Sequence, residues 1–488
     1  MTGQAQEPFD LLVIGGGING VGIGRDAAGR GLKVLLCEKD DLASHTSSAA
    51  TKLIHGGLRY LEYYEFRLVR EALAEREVLL RLAPHIIWPL RFVAPHDRHL
   101  RPLWLMRIGL FLYDHIGGRR SLPGSVGVNL RQDPVGRPLR PEFERGLIYS
   151  DCWVDDARLV SVNAMGIREL GGTVLTRTRL VSARREGGQW LAVLEDRQGG
   201  RREYRAHALV NAGGPWVRQV VTGALGFNVS HQVRLVKGSH IVVPRLFEGS
   251  HCYIFQHPDR RVIFAIPYEE RFTLVGTTDI PLDGEPRKPE ITPEEIDYLC
   301  GAVSRYFARV VTPADVVWTY SGVRPLYDDG KTDPSAVTRE YVFDLDANGP
   351  PVLSVYGGKI TTYRKLAEHA MERLAPYFPG LKPAWTANRP LPGGDFDGLE
   401  FEGFLADLQR RYPALEGALL RGLARRHGSL VPRLLGDART MADLGQDFGA
   451  NLREREVDYL RREEWAIEAE DILWRRTKRG LHLPEGGA

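Results

Sequence analysis

A glycine-rich segment near the start of the chain, residues 9–38, constrains the fold most strongly. A short apolar run, Leu11 to Ile14, predicts one buried strand. Three glycines follow this run with G-x-G-x-x-G spacing: Gly15, Gly17 and Gly20. An Ala- and Gly-rich helix and a second strand then lead to Glu38, about 18 residues after the last glycine. This pattern predicts a βαβ unit whose helix N-terminus binds a dinucleotide pyrophosphate while Glu38 accepts the ribose hydroxyls.

The motif alone leaves open which dinucleotide binds, because NAD and FAD share it and a plain Gly-rich turn also fits it. Its position at the extreme N-terminus, with a long chain to follow, favours FAD. Residues 173–204 have the pattern of a β-hairpin meander, and the strand after them ends in small residues at 212–214. A meander inserted between two halves of a nucleotide fold is typical of two-domain flavoproteins, which makes FAD the better choice.

The composition is that of an ordinary globular protein. Its 488 residues suit two or three domains, and a formal net charge of +3 is too small to indicate nucleic-acid binding. Four widely separated cysteines form no C-x-x-C pair, so we expect a reducing compartment and no metal site. The N-terminus shows no signal pattern, and no run approaches the roughly 20 apolar residues of a membrane span. Any membrane contact is therefore expected to be peripheral.

The order of segments predicts a first domain that is discontinuous in sequence. An α/β pattern gives way to short β-branched or aromatic strands at 231–345, and a strand, turn and helix return at 352–374. A Pro- and Gly-rich linker at 378–394 precedes a charged helical segment, 396–488. The predicted boundaries are 1–83, 150–230 and 348–377 for an FAD-binding α/β domain, 84–149 for a substrate-domain or membrane-facing insertion, 231–347 for a substrate-binding β domain and 390–488 for a C-terminal helical domain.

One apolar run, residues 103–113, is nearly continuous and is broken by Arg107. Four further arginines flank it: Arg98, Arg101, Arg119 and Arg120. Two interpretations stay open. A helix rimmed by arginines can lie on an anionic bilayer surface, or the run forms a buried helix with solvated ends.

Several residues suit flavin chemistry, which needs cations or N–H dipoles near the reduced ring and a base for an alcohol proton. The turn 357–359 leads into a predicted helix whose N-terminus, together with Lys359, favours an anionic ring. Arg324 and Arg339 lie in or beside β segments and suit a bidentate clamp on phosphate or carboxylate. His240 precedes an apolar strand and suits a base.

Each of these residues also has an ordinary structural interpretation. Lys359 suits a surface lysine beside a capped helix, and the two arginines suit solvated side chains in an Arg-rich chain. His240 suits a hydrogen-bonded core histidine. Thr46 and Ser47 lie in a predicted loop after Glu38, where hydroxyl groups either bind phosphate and flavin edge atoms or cap a helix.

Seven segments together carry a specific resemblance. They are IGGGINGVGIGRDAAGRG, TSSAATKLIHGGLRYLEYYEFRLVREALAEREVLL, YSDCWVDDARLV, KGSHIVVPR, GTTD, WTYSGVRPL and GGKITTYRKLAEHA. They resemble the bacterial aerobic glycerol-3-phosphate dehydrogenases, the FAD-dependent and quinone-reducing type. The resemblance runs from about Asp10 to at least Gly480, where LWRRTKRG is similar to the family's C-terminal helical cap.

This resemblance implies a fold like that of D-amino-acid and glycine oxidases, with a Rossmann-type FAD domain, a second β domain and an added C-terminal helical domain. It implies oxidation of sn-glycerol 3-phosphate to dihydroxyacetone phosphate by hydride transfer to FAD, with electrons passed to ubiquinone or menaquinone. It also implies a peripheral homodimer on the inner, cytoplasmic face of the cytoplasmic membrane, with an anionic lipid surface as a further partner.

The resemblance also implies site residues, carried over by motif. The FAD contacts it implies are Gly15, Gly17, Gly20, Glu38, Thr46, Ser47, Gly213, Gly358, Thr361 and Thr362. Arg324 and Arg339 would grip the phosphate. The substrate site beside the flavin would be lined by Arg59, Tyr60, His240 and Lys359. Arg59, His240 and Lys359 are the predicted catalytic residues, with His240 as the base for the C2 hydroxyl and His55 as the second choice.

Three alternatives stay open beside this function. An oxidase on the same scaffold would pass electrons to O2 and make peroxide. A non-catalytic FAD-binding scaffold would use its helical C-terminus to recruit a partner. An amine oxidase of the same fold is disfavoured by the two arginines, because the single carboxylate of an amino acid needs one.

Overall fold

The computed structural model describes residues 7–118, 121–229, 231–328 and 341–484. Within these ranges, the chain forms sheets of eight and ten strands and a cluster of C-terminal helices. The strands are β1 Phe9–Ile14, β2 Val34–Cys37, β3 Leu53–Ile54, β4 Ile87–Pro95, β5 Val126–Asn129, β6 Arg145–Val154, β7 Thr173–Leu175, β8 Thr178–Glu186, β9 Gln189–Asp196, β10 Arg201–Asn211, β11 Val233–Pro244, β12 Cys252–Gln256, β13 Val262–Tyr268, β14 Phe272–Gly276, β15 Ile280–Leu282, β16 Trp318–Tyr327, β17 Val342–Asp346 and β18 Val352–Tyr356. The helices are α1 Ile18–Gly29, α2 Phe66–Leu82, α3 Leu103–Ile116, α4 Asp156–Glu169, α5 Val217–Gln219, α6 Pro293–Ser304, α7 Tyr363–Leu374, α8 Phe401–Arg411, α9 Gly417–His427, α10 Val431–Leu435 and α11 Glu454–Glu463.

The first sheet has a parallel centre in the order β18-β10-β1-β2-β7. Its strands are short and apolar because both of their faces are covered. Leu11 and Val13 of β1 pack in the cluster that also contains residues of α1, α4 and α7. Leu12 and Ile14 face the other way, towards Trp190 of the β8–β9 hairpin, which extends the sheet from β10. The predicted βαβ unit therefore forms the middle of this sheet.

The second sheet runs β15-β11-β14-β13-β12-β4-β6-β3, with β16 paired to β11 and β5 paired to β6. The longest pairing joins β11 and β16 antiparallel, from Val233 opposite Tyr327 to Val242 opposite Trp318. The core on one side of this sheet contains residues of α6. This α6 begins at a capping box made by Thr292 and Glu295.

One element differs from the sequence-based expectation. Residues 341–346 are expected in the second, mostly β region, but β17 pairs antiparallel with β18 at the edge of the first sheet. Helix α4 begins at Asp156, because the Asp155 side chain caps it by accepting a hydrogen bond from the Arg158 backbone N–H at 3.1 Å. The remaining domain boundaries stay predictions.

Helix α3 corresponds to the apolar run and lies at the surface. Leu110 and Tyr113 are buried, whereas Trp104 is 66% exposed and Phe111 is 61% exposed. Arg119 and Arg120, which flank the run, lie outside the described residues. None of the helices in the described ranges is both long enough and apolar enough to cross a bilayer.

The C-terminal helices α8 to α11 enclose their own apolar core and join the rest of the protein through ion pairs. Asp41, just after β2, accepts hydrogen bonds from Arg475 and Arg476 at 2.7 Å each. Arg158 of α4 pairs with Glu464, and both side chains are completely buried. Charges that are buried in this way must stay paired, so these contacts fix how the C-terminal helices attach.

Replacing Arg158 with methionine is expected to destabilise the protein by about 3–5 kcal/mol, because Glu464 would remain as a buried carboxylate without its main counter-charge. Burial acts to raise the pKa of Glu464, but the charges and hydrogen bonds of Arg158 and His427 together outweigh it and hold that pKa well below its usual range. Urea unfolding followed by circular dichroism measures the change. The matched control is Arg433→Met, which breaks a partly exposed pair with Glu463 and should cost less than about 1 kcal/mol. Equal effects of the two variants would contradict this account.

Candidate functional site

A cavity of roughly 500 Å³ lies between the carboxyl edge of the first sheet and the face of the second. The residues that follow four parallel strands reach its wall: Gly15 after β1, Glu38 after β2, Gly213 near the end of β10 and Gly358 near the end of β18. Parallel strands present their carboxyl ends at one edge, which is where open α/β sheets bind ligands. The second sheet supplies the opposite wall, including Gly238, Phe264 and Arg324.

The glycine turn after β1 has the crowded geometry of a phosphate-binding turn. Gly15 has a φ of +111°, and an added Cβ there would lie 2.5 Å from the carbonyl oxygen of Ala212. A Cβ on Gly20 would lie 1.9 Å from the carbonyl oxygen of Gly15. Among the described wall residues are Gly15 and Gly17 but not Gly20, which supports the turn from behind. The N-terminus of α1, with its partial positive charge, therefore faces the cavity.

Glu38 is buried beside this turn and also reaches the cavity wall. Its Oε2 accepts a hydrogen bond from the Gly16 backbone N–H at 2.6 Å, and its Oε1 accepts one from Asp40 at 2.9 Å. Burial raises the pKa of Glu38, and the two backbone N–H groups act in the opposite direction. Glu38 thus fixes the turn and presents a carboxylate where a ribose-binding acid is expected.

Residues 46–55, termed the cavity loop, contribute a large part of the wall. The loop residues on the wall are Thr46, Ser47, Ala49, Ala50, Thr51, Leu53 and His55. Ser47 Oγ accepts a hydrogen bond from the Ile18 backbone N–H at 3.0 Å, and Thr46 Oγ1 donates to the Val323 carbonyl oxygen at 2.6 Å. The loop therefore links the start of α1 to β16 of the second sheet.

The turn after β18 brings a cation and a helix N-terminus to the cavity. Gly358, Lys359 and Thr361 line the wall, and Thr361 Oγ1 accepts a hydrogen bond from the His55 backbone N–H at 3.3 Å. Lys359 Nζ lies 3.9 Å from the centroid of the Tyr60 ring. Thr362 is buried and is not among the described wall residues.

Arg324 projects from β16 to the cavity and is held by the segment that follows β14. Its guanidinium pairs with Asp279 and donates to Thr277 Oγ1 at 3.2 Å and to the Thr278 carbonyl oxygen at 3.3 Å. Arg59 and Tyr60 line the same cavity. Arg339 lies outside the described residues, so a clamp of two arginines stays a prediction.

His240, the predicted base, is buried against the second sheet beside the cavity loop. The residue is 1% exposed, its ring stacks on Tyr320 with the centroids 4.7 Å apart, and its Nε2 shares a hydrogen bond of 3.0 Å with Thr51 Oγ1. Burial lowers the pKa of His240 well below its ordinary value, and the Arg324 charge adds to this. Pairing of β11 with β16 sets His240 opposite Tyr320. Of the described residues in this contact, Thr51 reaches the wall and His240 does not.

His55, the second candidate for the base, does line the cavity. Burial lowers its pKa, and the Lys359 charge lowers it further, while Asp151 acts in the opposite direction. A histidine in this state is neutral at neutral pH and can accept a proton. Of the two histidines, His55 is the one among the described wall residues.

Some wall residues were missed by the sequence analysis. Asp279 lies in the GTTD segment beside Arg324, and Asn19 lies in the glycine segment, where its Nδ2 donates to the Gly357 carbonyl oxygen at 3.1 Å. Both residues lie within segments that the sequence analysis had identified, and this position could have marked them. The apolar wall residues Tyr149, Ile254, Val262 and Phe264 carried no signal, because an apolar strand residue that faces a cavity looks like one that faces a core.

Comparisons with known proteins extend over both sheets and the C-terminal helices. A family model of FAD-dependent oxidoreductases matches residues 10–364, and a model of the C-terminal domain of alpha-glycerophosphate oxidase matches residues 384–486. The aerobic glycerol-3-phosphate dehydrogenase of Escherichia coli is 54% identical over 480 residues, which cover 98% of this chain and 95% of that protein. The D-erythritol 1-phosphate dehydrogenase of Brucella abortus is 54% identical over 481 residues, which cover 98% and 96%. The structure of the Bacillus halodurans glycerol-3-phosphate dehydrogenase complexed with FAD is 28% identical, with a TM-score of 0.78 and coverage of 98% and 87%.

Proposed function

Because the chain belongs to the family of FAD-dependent oxidoreductases, we propose that it oxidises sn-glycerol 3-phosphate to dihydroxyacetone phosphate with FAD as its cofactor. The observation that carries this proposal is one cavity with two complementary parts. A glycine turn and Glu38 lie on its first-sheet side, and the cations Lys359 and Arg324 lie further along its wall. A phosphorylated alcohol gains from such cations, whereas a neutral alcohol does not.

Family membership confirms the resemblance that the sequence motifs carry, together with the fold class and FAD as cofactor. A Rossmann-type sheet, a second β region and a C-terminal group of helices are present together. The fold of the chain is similar to that of the Bacillus halodurans dehydrogenase.

The residues of the first sheet fit FAD. The crowded turn at Gly15 and the start of α1 would hold the pyrophosphate, and Glu38 would accept the ribose hydroxyls. The start of α7 and Lys359 would stabilise negative charge at the far end of the cofactor. When bound, FAD supplies the two-electron acceptance that side chains cannot provide.

Arg324 would bind the phosphate of the substrate. Its contacts with Asp279, Thr277 and the Thr278 carbonyl oxygen orient the guanidinium before any ligand arrives, which reduces the entropy lost on binding. Arg59 on the same wall adds a second cation.

We assign the general base to His55 rather than to His240. His55 lies on the cavity wall and its lowered pKa keeps it neutral, so it can remove the hydroxyl proton of the substrate as the carbon is oxidised. His240 contributes through Thr51, whose hydroxyl it contacts at 3.0 Å.

A second substrate, D-erythritol 1-phosphate, is a specific candidate because the relative that acts on it is as similar as the Escherichia coli dehydrogenase, at 54% identity. The two compounds share a phosphate and a polyol chain and differ in chain length. Arg324 would bind either phosphate in the same way, so direct comparison of the two substrates decides between them.

For the electron acceptor we propose a membrane quinone, reached through an apolar wall. Ile254 and Phe264 line the cavity and pack in the same cluster as Leu103 and Met106 of α3. Five further large apolar side chains of α3 are exposed: Trp104, Leu105, Ile108, Phe111 and Leu112. An apolar route therefore leads from a surface suited to an anionic bilayer towards the flavin. The expected homodimer on the inner face of the cytoplasmic membrane remains part of this proposal.

The proposed reaction is tested by anaerobic mixing of the FAD-loaded protein with glycerol 3-phosphate, D-erythritol 1-phosphate or glycerol. We expect rapid bleaching of the flavin absorbance by glycerol 3-phosphate and little by glycerol.

Arg324→Ala should raise the KM of the phosphorylated substrate by about 10-fold or more, the effect of losing a charge-assisted contact of about 1.5–3 kcal/mol.

The matched control is Arg309→Ala, which removes an exposed arginine paired with Asp315 and should leave KM unchanged. Faster bleaching by D-erythritol 1-phosphate would assign the second substrate instead. No bleaching by either compound would indicate a scaffold without this activity. Reoxidation by a quinone analogue without peroxide supports the dehydrogenase, whereas stoichiometric peroxide indicates an oxidase.

The assignment of His55 makes a pH prediction. Because its pKa lies below the ordinary value of 6.5, the neutral base is present at neutral pH, and kcat/KM should fall only as pH drops through that lowered pKa. His55→Asn should remove this acid limb and slow flavin reduction by roughly 10²- to 10⁴-fold. His240→Asn is the control and should retain kcat to within about 10-fold, since it loses one hydrogen bond. If His240→Asn slowed flavin reduction more than His55→Asn, His240 would be the base instead.

The exposed face of α3 predicts binding to lipid vesicles. Replacing Trp104 and Phe111 together with serine should weaken cosedimentation with anionic vesicles by about 10-fold or more, because two large apolar side chains no longer enter the bilayer. Val310→Ser changes an exposed apolar residue on another part of the surface and serves as the control. Unchanged binding of the double variant would place the membrane contact elsewhere.

A further inference from the structure

Four charged side chains meet behind the cavity loop and form what we term the charge quartet: Lys52, Asp155, Asp156 and Lys478. Lys52 Nζ donates to Asp156 Oδ1 at 2.7 Å, and Lys478 Nζ donates to Asp155 Oδ1 at 2.5 Å. Lys52 belongs to the cavity loop, the two aspartates begin α4, and Lys478 belongs to the C-terminal helical part. The quartet therefore joins three separate parts of the protein.

The quartet combines two features that cost folding free energy: buried charges and strained backbone. Lys52, Asp156 and Lys478 are each no more than 3% exposed. Lys52 has a φ of +60° and Lys478 a φ of +58°, which is a strained backbone conformation for a side chain with a Cβ. Buried charge and backbone strain in one place are expected where the surrounding structure uses them.

Asp156 holds the cavity loop at two points. Its Oδ2 accepts a hydrogen bond from the Ala50 backbone N–H at 3.1 Å, and its Oδ1 accepts one from Lys52. Lys52 Nζ also donates to the Ser48 carbonyl oxygen at 3.1 Å. The residues between and beside these points, including Ser47 and Thr51, form the cavity wall.

Lys478 leaves Lys52 available to Asp156, so that Asp156 can hold the cavity loop. Asp155 and Asp156 are adjacent carboxylates, and without a second cation they would compete for Lys52. Burial acts to raise the pKa of Asp155, but Lys478 and Lys52 outweigh it and keep that pKa below its usual range. With Lys478 on Asp155, Lys52 is left to pair with Asp156 and the quartet is electrically neutral.

A second contact of the same C-terminal segment is made with β16, the strand that supports the cavity loop. Trp474 stacks on Trp318 of β16 with the ring centroids 4.5 Å apart. Two residues further along β16, Tyr320 donates from its hydroxyl to the Ala50 carbonyl oxygen at 2.8 Å. The C-terminal segment therefore supports the cavity loop through the charge quartet and, by way of β16, through an aromatic contact.

We propose that Lys478, in the C-terminal helical part, is a positioning residue of the flavin site. It neutralises Asp155, so that Asp156 can hold Lys52 and the cavity loop in the shape that receives the cofactor. This gives the C-terminal helices a role in cofactor binding. It does not depend on which polyol phosphate the site oxidises, and it rests on the proposed function only in that the cofactor is FAD.

The test compares the full-length protein with Lys478→Met. Hydrogen exchange of the peptide covering residues 46–55, followed by mass spectrometry, should accelerate by about 10-fold or more in the variant. The FAD dissociation constant, from titration of the apoprotein, should rise about 10-fold, since the loop is no longer pre-organised. The matched control is Arg197→Met, which breaks the exposed pair between Arg197, just after β9, and Glu468 of the C-terminal helical part. This variant should change neither the exchange rate nor the FAD dissociation constant. Neither readout involves substrate, so a failure of glycerol 3-phosphate oxidation would not affect them.

A rescue variant separates positioning from general stability. Lys478→Met combined with Asp155→Asn removes the uncompensated carboxylate and keeps a good helix cap, so loop protection and FAD affinity should return to within about 3-fold of the original protein. Wild-type exchange and affinity in Lys478→Met alone would overturn the proposal. A double variant that recovers neither quantity would overturn it as well, whether its loop stays exposed or the protein fails to fold.

Discussion

The pairing of β1 with a parallel strand on each side is the constraint on which the rest of the molecule depends. Ile14 lies opposite Cys37 of β2 and opposite Asn211 of β10, so three strands end at the same level. The segments that leave those ends are the glycine turn, Glu38 and the 212–214 turn, and they meet because the register is shared. A shift of one residue would reverse every side chain of β1 between two covered faces, so the register is strongly specified.

The charges of the site follow from this geometry. The N-termini of α1 and α7 both approach the cavity and make it positive, and Lys359 and Arg324 add full charges. Two carboxylates balance them locally: Glu38 is satisfied by backbone N–H groups and Asp279 by Arg324. The cavity thus separates the Glu38 carboxylate from the two cations, and under the proposed function this separation would orient the cofactor and the substrate.

Much of the site could be predicted because its residues lie in local motifs. Gly15, Gly17 and Glu38 belong to a single βαβ unit, and Lys359 follows directly on the last parallel strand. His240 stays a prediction: strand alternation puts it on the same side as Gly238, but its ring contacts Thr51 of the distant cavity loop, which lines the cavity. No local pattern in the KGSH segment predicts where the cavity loop lies. The same limit explains why β17 was assigned to the wrong sheet, since strand partners are chosen by the whole fold.

The sequence by itself determined the dinucleotide unit, the alternation of α/β and β segments, and a family of relatives with a common chemistry. These properties depend on residues close together in the chain, where backbone geometry and side-chain spacing act directly. Tertiary structure alone decided which histidine reaches the cavity, that Asp279 holds Arg324, and that Lys478 meets Asp155 across more than 300 residues of chain. Those contacts exist because packing and charge pairing join distant segments, and their free energies are settled only when the complete fold excludes water from them.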